Sequence, residues 1–102
     1  MYEKRLCGVV IPTITPMNED GSIDDASLAN FTRYLLGAGV NALYPNGTNG
    51  ESLLLTKEER DHVAEVMANV NAHRLPLFIQ CGSMTTGETA SHAVHAVDIG
   101  AD

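Results

Sequence analysis

One stretch decides the fold: Val40-Asn41-Ala42-Leu43-Tyr44-Pro45-Asn46-Gly47-Thr48-Asn49-Gly50-Glu51-Ser52, in which a short apolar run ends in a loop with two glycines. The apolar run is typical of a buried strand, and the next predicted helix begins near Thr56. The two glycines remove Cβ clashes, so consecutive backbone N–H groups can turn inward and form a concave nest for a carboxylate or phosphate. Parallel α/β proteins bind ligands in loops that follow the carboxyl ends of strands. The stretch therefore predicts an anion-binding loop.

The same residues allow a second interpretation, because Asn-Gly between apolar runs is also a strong β-hairpin signal. Pro45 argues against a hairpin, since proline gives a strand no ladder donor. Helical periodicity returns soon after Ser52, which leaves little room for a second antiparallel strand. We therefore favour a strand, a loop and then a helix.

Composition bounds the class of protein. The chain has 102 residues, enough for one domain, and 44% of them are hydrophobic. Its 6 Lys and Arg against 13 Asp and Glu give a formal charge of −7, which repels nucleic acid phosphates and anionic membranes. Neither nucleic acid nor an anionic membrane is an expected partner. We expect the acidic residues to lie at helix starts and on solvated helix faces.

Two further features favour a cytoplasmic protein. Cys7 and Cys81 lie in or beside apolar runs without metal-binding or redox spacing, so we expect free, buried thiols in a reducing compartment. The N-terminus, Met1-Tyr2-Glu3-Lys4-Arg5, lacks the apolar core of a signal peptide, and no run approaches the roughly 18 apolar residues of a membrane span.

Strand and helix signals alternate along the chain. We predict strands at about 8–12, 40–44 and 75–80, and helices at about 25–36, 57–71 and 86–98. Capping residues mark the helix starts: Asp24 or Asp25, the capping box Thr56 with Glu59, and a second box Thr85 with Glu88. The predicted core faces are Leu28, Phe31 and Leu35; Val63, Val66, Met67 and Val70; and Ala90, Ala93, Val94 and Val97.

This alternation predicts an α/β fold. The strands start about every 30 to 35 residues, which is the period of a βα unit. They are apolar along their length, which suits a parallel sheet buried on both faces. Right-handed crossovers in chain order would give strand order 1-2-3 with all helices on one side, the wall of a barrel.

Several motifs in register resemble one family. They are Thr13-Ile14-Thr15-Pro16-Met17, Gly47-Thr48-Asn49-Gly50-Glu51-Ser52, Leu55-Thr56-Lys57-Glu58-Glu59-Arg60, Gly82-Ser83 with Thr86 and Glu88, and Gly100-Ala101-Asp102. Together they resemble the N-terminal part of the dihydrodipicolinate synthase / N-acetylneuraminate lyase family of pyruvate-dependent class I aldolases. The resemblance runs along the whole chain.

The resemblance implies a (βα)8 TIM barrel, of which residues 1–102 would form a single partial-barrel domain of about three βα units. It implies no cofactor and a partner that is pyruvate or a related 2-keto acid, held as a Schiff base on a lysine. Gly47, Thr48 and Asn49 would bind the substrate, with backbone N–H groups of Thr48 and Asn49 on its carboxylate. The Thr48 hydroxyl would relay a proton to and from a tyrosine. Full-length relatives imply a tetramer, here a homo-oligomer through exposed sheet edges or barrel faces.

The resemblance does not decide between the synthase branch and the lyase branch of the family. Asn49 stands where the synthases typically have a second threonine, and Tyr44 weakly resembles the lyase branch.

The chain offers only two candidates for the imine-forming lysine, Lys4 and Lys57. Lys4 precedes the first strand and Lys57 begins a helix beside glutamates, whereas a nucleophilic lysine needs burial or cationic neighbours. We expect that lysine and the principal tyrosine to lie outside this chain, and the chain alone to be inactive.

No metal site is predicted. His92 and His95 stand three apart on one predicted helix, but no third ligand is evident, so we expect an exposed pair, while His62 and His73 are isolated. Nucleotide-binding glycine motifs are absent. Three hypotheses therefore remain: the N-terminal, truncated portion of an aldolase; a catalytically inactive small α/β module for carboxylate binding or assembly; and an unrelated flavodoxin-like α/β binding module.

Overall fold

The computed structural model describes residues 6–102, and these form two short strands and three α-helices. The strands are β1 (Val10–Pro12) and β2 (Ala42–Tyr44), and the helices are α1 (Asp25–Gly37), α2 (Lys57–Asn71) and α3 (Thr86–Asp98). Two 3-10 turns, Thr48–Gly50 and Ser52–Leu54, lie between β2 and α2. The hairpin interpretation is wrong, because turns and a helix follow the Asn-Gly step.

The helices begin at their predicted capping residues. Asp24 Oδ1 accepts a hydrogen bond from Ser27 N at 3.0 Å. Thr56 and Glu59 form the reciprocal capping box at the start of α2. At α3, Thr85 Oγ1 accepts from Glu88 N at 3.2 Å. The α3 start therefore uses the threonine half of the predicted box.

β1 and β2 form a parallel pair, with Val10 beside Ala42 and Pro12 beside Tyr44. The backbone N–H of Thr13 extends the pairing by donating to Tyr44 O at 3.1 Å. This brings the carboxyl ends of both strands to one edge, where the glycine loop begins. β1 is exposed at Val10, so the predicted burial of the sheet on both faces does not hold there.

The predicted third strand at 75–80 is reduced to one parallel bridge, between Leu43 and Leu77, in the described sheet of two strands. Leu43 N donates to Pro76 O at 3.0 Å and Phe78 N donates to Leu43 O at 2.9 Å. The next pair of ladder hydrogen bonds is incomplete, because Gln80 N donates to Pro45 O at 3.2 Å but Pro45 has no N–H with which to donate to the facing segment. Pro76 also lacks an N–H, so it cannot donate the preceding hydrogen bond of the ladder. The segment thus runs alongside β2 without becoming a full strand.

The core lies between the strands and the first two helices. Its buried cluster consists of Leu28, Leu35, Leu43, Val63, Met67 and Leu77. The predicted faces of α1 and α2 point into this cluster, and α2 also packs against α3.

The predicted apolar face of α3 is wrong. Val94 and Val97 are 62% and 74% exposed, and Ala90 and Ala93 are also exposed. The buried residues of α3 are His92 and Ala96. The reason is that α3 meets α2 through hydrogen bonds from His92 and His95 to Asp61 and Glu65, a contact that hydrophobic periodicity does not register. The cysteines also differ from expectation, since Cys7 is exposed and Cys81 is half-buried.

Within residues 6–102, no helix combines the length and apolar character needed to cross a membrane.

Candidate functional site

The loop after β2 has a buried base and an exposed tip. Asn46, Gly47 and Gly50 are buried, whereas Thr48 and Asn49 are exposed. The first hydrogen bond of the 3-10 turn runs from Gly50 N to Gly47 O at 3.1 Å. The backbone N–H groups of Thr48 and Asn49 come before Gly50 N in the chain, so the turn contains no carbonyl group to which they can donate. The structure therefore places these two predicted binding residues side by side at the carboxyl edge of the strands.

The segment after β1 supports the loop from one side. Thr15 Oγ1 donates to Gly50 O at 2.7 Å. A Cβ on Gly50 would lie 3.1 Å from Thr13 O and 3.2 Å from Thr15 Oγ1, which is tighter than ordinary contact. Gly50 is thus needed for close approach of two chain segments. The two motifs quoted for the family resemblance, 13–17 and 47–52, meet here.

Two non-glycine residues of the loop adopt the left-handed region. Asn46 has a φ of 64° and Glu51 a φ of 58°. Asparagine tolerates this region, because its short polar side chain can bond locally, whereas for glutamate the conformation is costly. Such backbone strain clusters at ligand-binding loops, which is consistent with a functional turn.

Sequence reasoning missed two buried polar residues behind the loop, Asn46 and Arg60. Each is 2% exposed. Asn46 Nδ2 donates to Arg60 O at 2.9 Å, and the Arg60 guanidinium donates to Gln80 O at 2.8 Å and to Gly82 O at 2.9 Å. Nothing in the spacing signals this burial, since arginine at the start of a helix is usually solvated.

A cavity of about 300 Å³ opens beside the loop and is lined by Thr48 and by residues 51–54. This volume lies at the lower end of small-molecule sites and has room for a short keto acid. A larger cleft of about 360 Å³ is lined by Asp25, Glu58 and Glu59 among others, and its carboxylates would repel an anion. The cavity beside the loop is the better candidate for an anionic ligand.

Lys57 is the one lysine in the described range, and it pairs with Asp61, whose Oδ2 lies 2.6 Å from Lys57 Nζ. The hydrogen bond to Asp61 raises the pKa of Lys57 above its ordinary value. This pairing favours the protonated amine, which is not a nucleophile. Lys4 lies outside the described residues, and Tyr34 is exposed on α1.

Three histidines contact carboxylates, so His92 and His95 are not the exposed pair, and His62 is not the isolated residue, that the sequence predicts. His92 Nδ1 lies 2.9 Å from Asp61 Oδ1, and His95 Nε2 lies 2.8 Å from Glu65 Oε1. His62 Nε2 lies 2.8 Å from Asp25 Oδ1. The described residues contain no group of three or more His, Cys, Asp or Glu side chains placed to hold a metal ion.

Comparison with known proteins places these features in a family. The model of the dihydrodipicolinate synthetase family matches residues 5–102. A 4-hydroxy-tetrahydrodipicolinate synthase of Acidiphilium cryptum is 40% identical over 95 residues, which cover 93% of this chain and 32% of that protein. An N-acetylneuraminate lyase of Mus musculus is 39% identical over 102 residues, covering 98% of this chain and 32% of the mouse protein.

Solved structures agree. A prophage protein of the dihydrodipicolinic acid synthase family from E. coli K12, in complex with pyruvate, superposes with a TM-score of 0.90 at 33% identity, covering 93% of this chain and 32% of that one. The chain spans about a third of the length of these relatives.

The fold and the loop thus define an α/β protein whose structural neighbours are TIM-barrel enzymes. The chain belongs to the dihydrodipicolinate synthetase family.

Proposed function

We propose that this chain is the N-terminal portion of a pyruvate-dependent carbon–carbon lyase (aldolase), and that loop 47–51 binds the carboxylate of pyruvate or a related 2-keto acid. The observation that carries the proposal is that Thr48 and Asn49 are exposed and that their backbone N–H groups precede the first hydrogen bond of their turn. Such paired donors bind anionic groups, and a carboxylate is one of them. The E. coli relative, solved in complex with pyruvate, supports this ligand class.

The loop would contribute to catalysis by orientation. Two donors on one carboxylate fix the keto carbon in one direction, and orientation can contribute several kcal/mol to the barrier reduction. A lysine amine would then add to that carbon and expel water to form the imine. Thr48 is exposed at the loop and lines the neighbouring cavity, where its hydroxyl would relay a proton to and from a tyrosine.

The imine-forming lysine and the principal tyrosine would lie outside residues 1–102. Lys57 supports this division, since its amine is held by Asp61 at 2.6 Å. We also place the protein in the cytoplasm, because the described cysteines are free thiols, which persist in reducing compartments. We expect a homo-oligomer, a tetramer by analogy with full-length relatives.

The test uses the native polypeptide, by which we mean the natural product that contains residues 1–102, whatever its length. It is incubated with pyruvate and borohydride, and its peptides are weighed. We expect one reduced pyruvyl adduct, on a lysine other than Lys4 and Lys57. Acetone, which has the ketone without the carboxylate, should give no adduct at the same concentration. An adduct on Lys4 or Lys57, or none, would overturn the proposal.

A second candidate function is suggested by Lys57, because its amine is paired with Asp61 and is therefore a poor nucleophile. If the gene has a stop codon directly after Asp102, the same loop would serve an inactive carboxylate-binding or assembly module. Reading the gene beyond codon 102 decides between the two.

A further inference from the structure

We propose that Asn46 and Arg60 are positioning residues that hold the glycine loop in its ligand-binding shape. The inference rests on the proposed function, because it assigns these residues to the keto-acid site. Neither residue lines the cavity beside the loop, so their action would pass through the backbone that they support.

Asn46 fixes the base of the loop in two ways. Its backbone takes the left-handed conformation that turns the chain out of β2 into Gly47. Its side-chain amide donates to Arg60 O on α2 at 2.9 Å, with the residue 2% exposed. The backbone conformation sets the direction of the loop, and the amide sets its distance from α2.

Arg60 extends the same support to the next segment. Its guanidinium donates to Gln80 O at 2.8 Å and Gly82 O at 2.9 Å, and Gln80 N donates back to Pro45 O at 3.2 Å. These hydrogen bonds form a closed cycle. Asn46 bonds to Arg60, Arg60 bonds to Gln80, and Gln80 bonds to Pro45, which directly precedes Asn46. Movement of any one of the three segments therefore strains the other two.

The burial of these groups is hard to explain by stability alone. Within residues 6–102, Asn46 Oδ1 and Arg60 Nε are buried without a hydrogen-bond partner. A buried polar atom without a hydrogen-bond partner is destabilising, and burying a guanidinium adds a desolvation penalty. Apolar residues of similar volume would avoid that cost. A role in fixing the loop accounts for polar residues at both positions.

The deciding variants are Asn46→Gly and Arg60→Lys in the native polypeptide. Glycine adopts the left-handed backbone without strain and removes the side-chain amide. Lysine keeps the charge but cannot reach two carbonyl groups as a planar guanidinium does. Arg33→Lys is the matched control, because Arg33 is exposed on α1.

With the borohydride-trapped pyruvyl adduct as the readout, we expect both variants to raise the half-saturating pyruvate concentration about 10-fold, with the trapping rate at saturating pyruvate within about 3-fold of wild type, since a loosened loop is reordered by bound substrate. Hydrogen exchange should become faster in residues 46–51 and stay unchanged in α1. The double variant should change the half-saturating pyruvate concentration by less than the product of the single effects, because both act on one cycle. Arg33→Lys should match wild type.

An unchanged half-saturating pyruvate concentration with unchanged exchange at 46–51 in Asn46→Gly would overturn the inference, as would faster exchange that extends equally through α1. The proposed function and the role of Asn46 and Arg60 can be refuted independently. If wild-type protein forms no pyruvate adduct, the proposed function is refuted, and hydrogen exchange alone tests whether Asn46 and Arg60 hold the loop. Faster exchange confined to residues 46–51 and 80–82 in the variants would support that role, and unchanged exchange in the loop would refute it.

Discussion

Thr48 combines an exposed side chain with a backbone that its neighbours hold in place. Gly47 before it and Gly50 after it are buried, and Thr15 Oγ1 donates to Gly50 O at 2.7 Å. The residue can therefore offer a backbone N–H and a hydroxyl to the same ligand. In the proposed site these two groups have different tasks, carboxylate binding and proton transfer.

Replacing Thr48 by Val separates these tasks. Valine keeps the branched shape and the backbone N–H but removes the hydroxyl. We expect the rate at which the native polypeptide forms the pyruvyl imine at saturating pyruvate to fall about 100-fold, the lower range for loss of a proton-transfer group, with the half-saturating pyruvate concentration changed less than about 3-fold. The rate of borohydride-trapped adduct formation, followed against pyruvate concentration, measures both.

Thr86→Val is the control for that substitution, because Thr86 is exposed at the start of α3. A raised half-saturating pyruvate concentration with an unchanged rate of adduct formation in Thr48→Val would contradict the proton-relay role and leave Thr48 as a binding residue only.

The sequence predicts part of this site. Glycine spacing and the preceding apolar run locate the loop, because both are local in the chain. Asn46 and Arg60 escape prediction, since their burial depends on a contact across 14 residues and another across more than 20. The support from Thr15 is a third contact of this long-range kind.

At the scale of elements, helices are predicted better than strands. The caps of α1 and α2 are local patterns, and these helices begin where their capping residues stand. The strand at 75–80 is predicted from its apolar run, but its ladder depends on Pro45, which directly follows the neighbouring strand β2. Only the pairing of the two segments reveals that this proline lacks the donor that the next rung needs.

The contact between α2 and α3 should make stability depend on acid pH. Burial raises the pKa of Asp61, but hydrogen bonds from Lys57 and His92 outweigh it and leave the pKa below the ordinary 3.8. Because the folded-state pKa is depressed, this stabilisation is present above the unfolded-state pKa of about 3.9 and is lost as pH falls through the folded-state pKa.

Asp61→Asn should therefore make the free energy of unfolding depend less on pH in the acid range. At pH 7 we expect it to lower the free energy of unfolding by about 1–2 kcal/mol, between the values for exposed and buried pairs. Between pH 5 and pH 2.5 it should lose less stability than wild type, as measured by denaturant unfolding of the native polypeptide. Asp98→Asn, at an exposed position on α3, should follow the wild-type curve. Equal losses in Asp61→Asn and wild type would contradict this account.

At the scale of the whole molecule, the described chain leaves apolar surface uncovered. Val9, Val10 and Ile14 are exposed around β1, and Leu53 and Leu54 are exposed beside the loop. A barrel of this family would cover the face of its sheet with further strands. A single copy of residues 1–102 cannot do so, and an open strand edge favours association.

We therefore expect the isolated 102-residue chain to self-associate as its concentration rises, despite its charge of −7. Sedimentation or light scattering would measure this. Val10→Lys should shift the association midpoint to higher concentration, because a charge on the open edge opposes pairing. Thr86→Lys, which adds the same charge at an exposed helical position, should have a smaller effect. A monomeric wild-type chain at all concentrations would contradict the expectation.

The central claim is that loop 47–51 holds the carboxylate of a 2-keto acid. A crystal structure of the native polypeptide, reduced with borohydride in the presence of pyruvate, tests it most directly. We expect the carboxylate oxygens to lie about 3 Å from the backbone nitrogens of Thr48 and Asn49. A pyruvyl group whose carboxylate is bound by other residues, with those two nitrogens beyond hydrogen-bond distance, would contradict the claim.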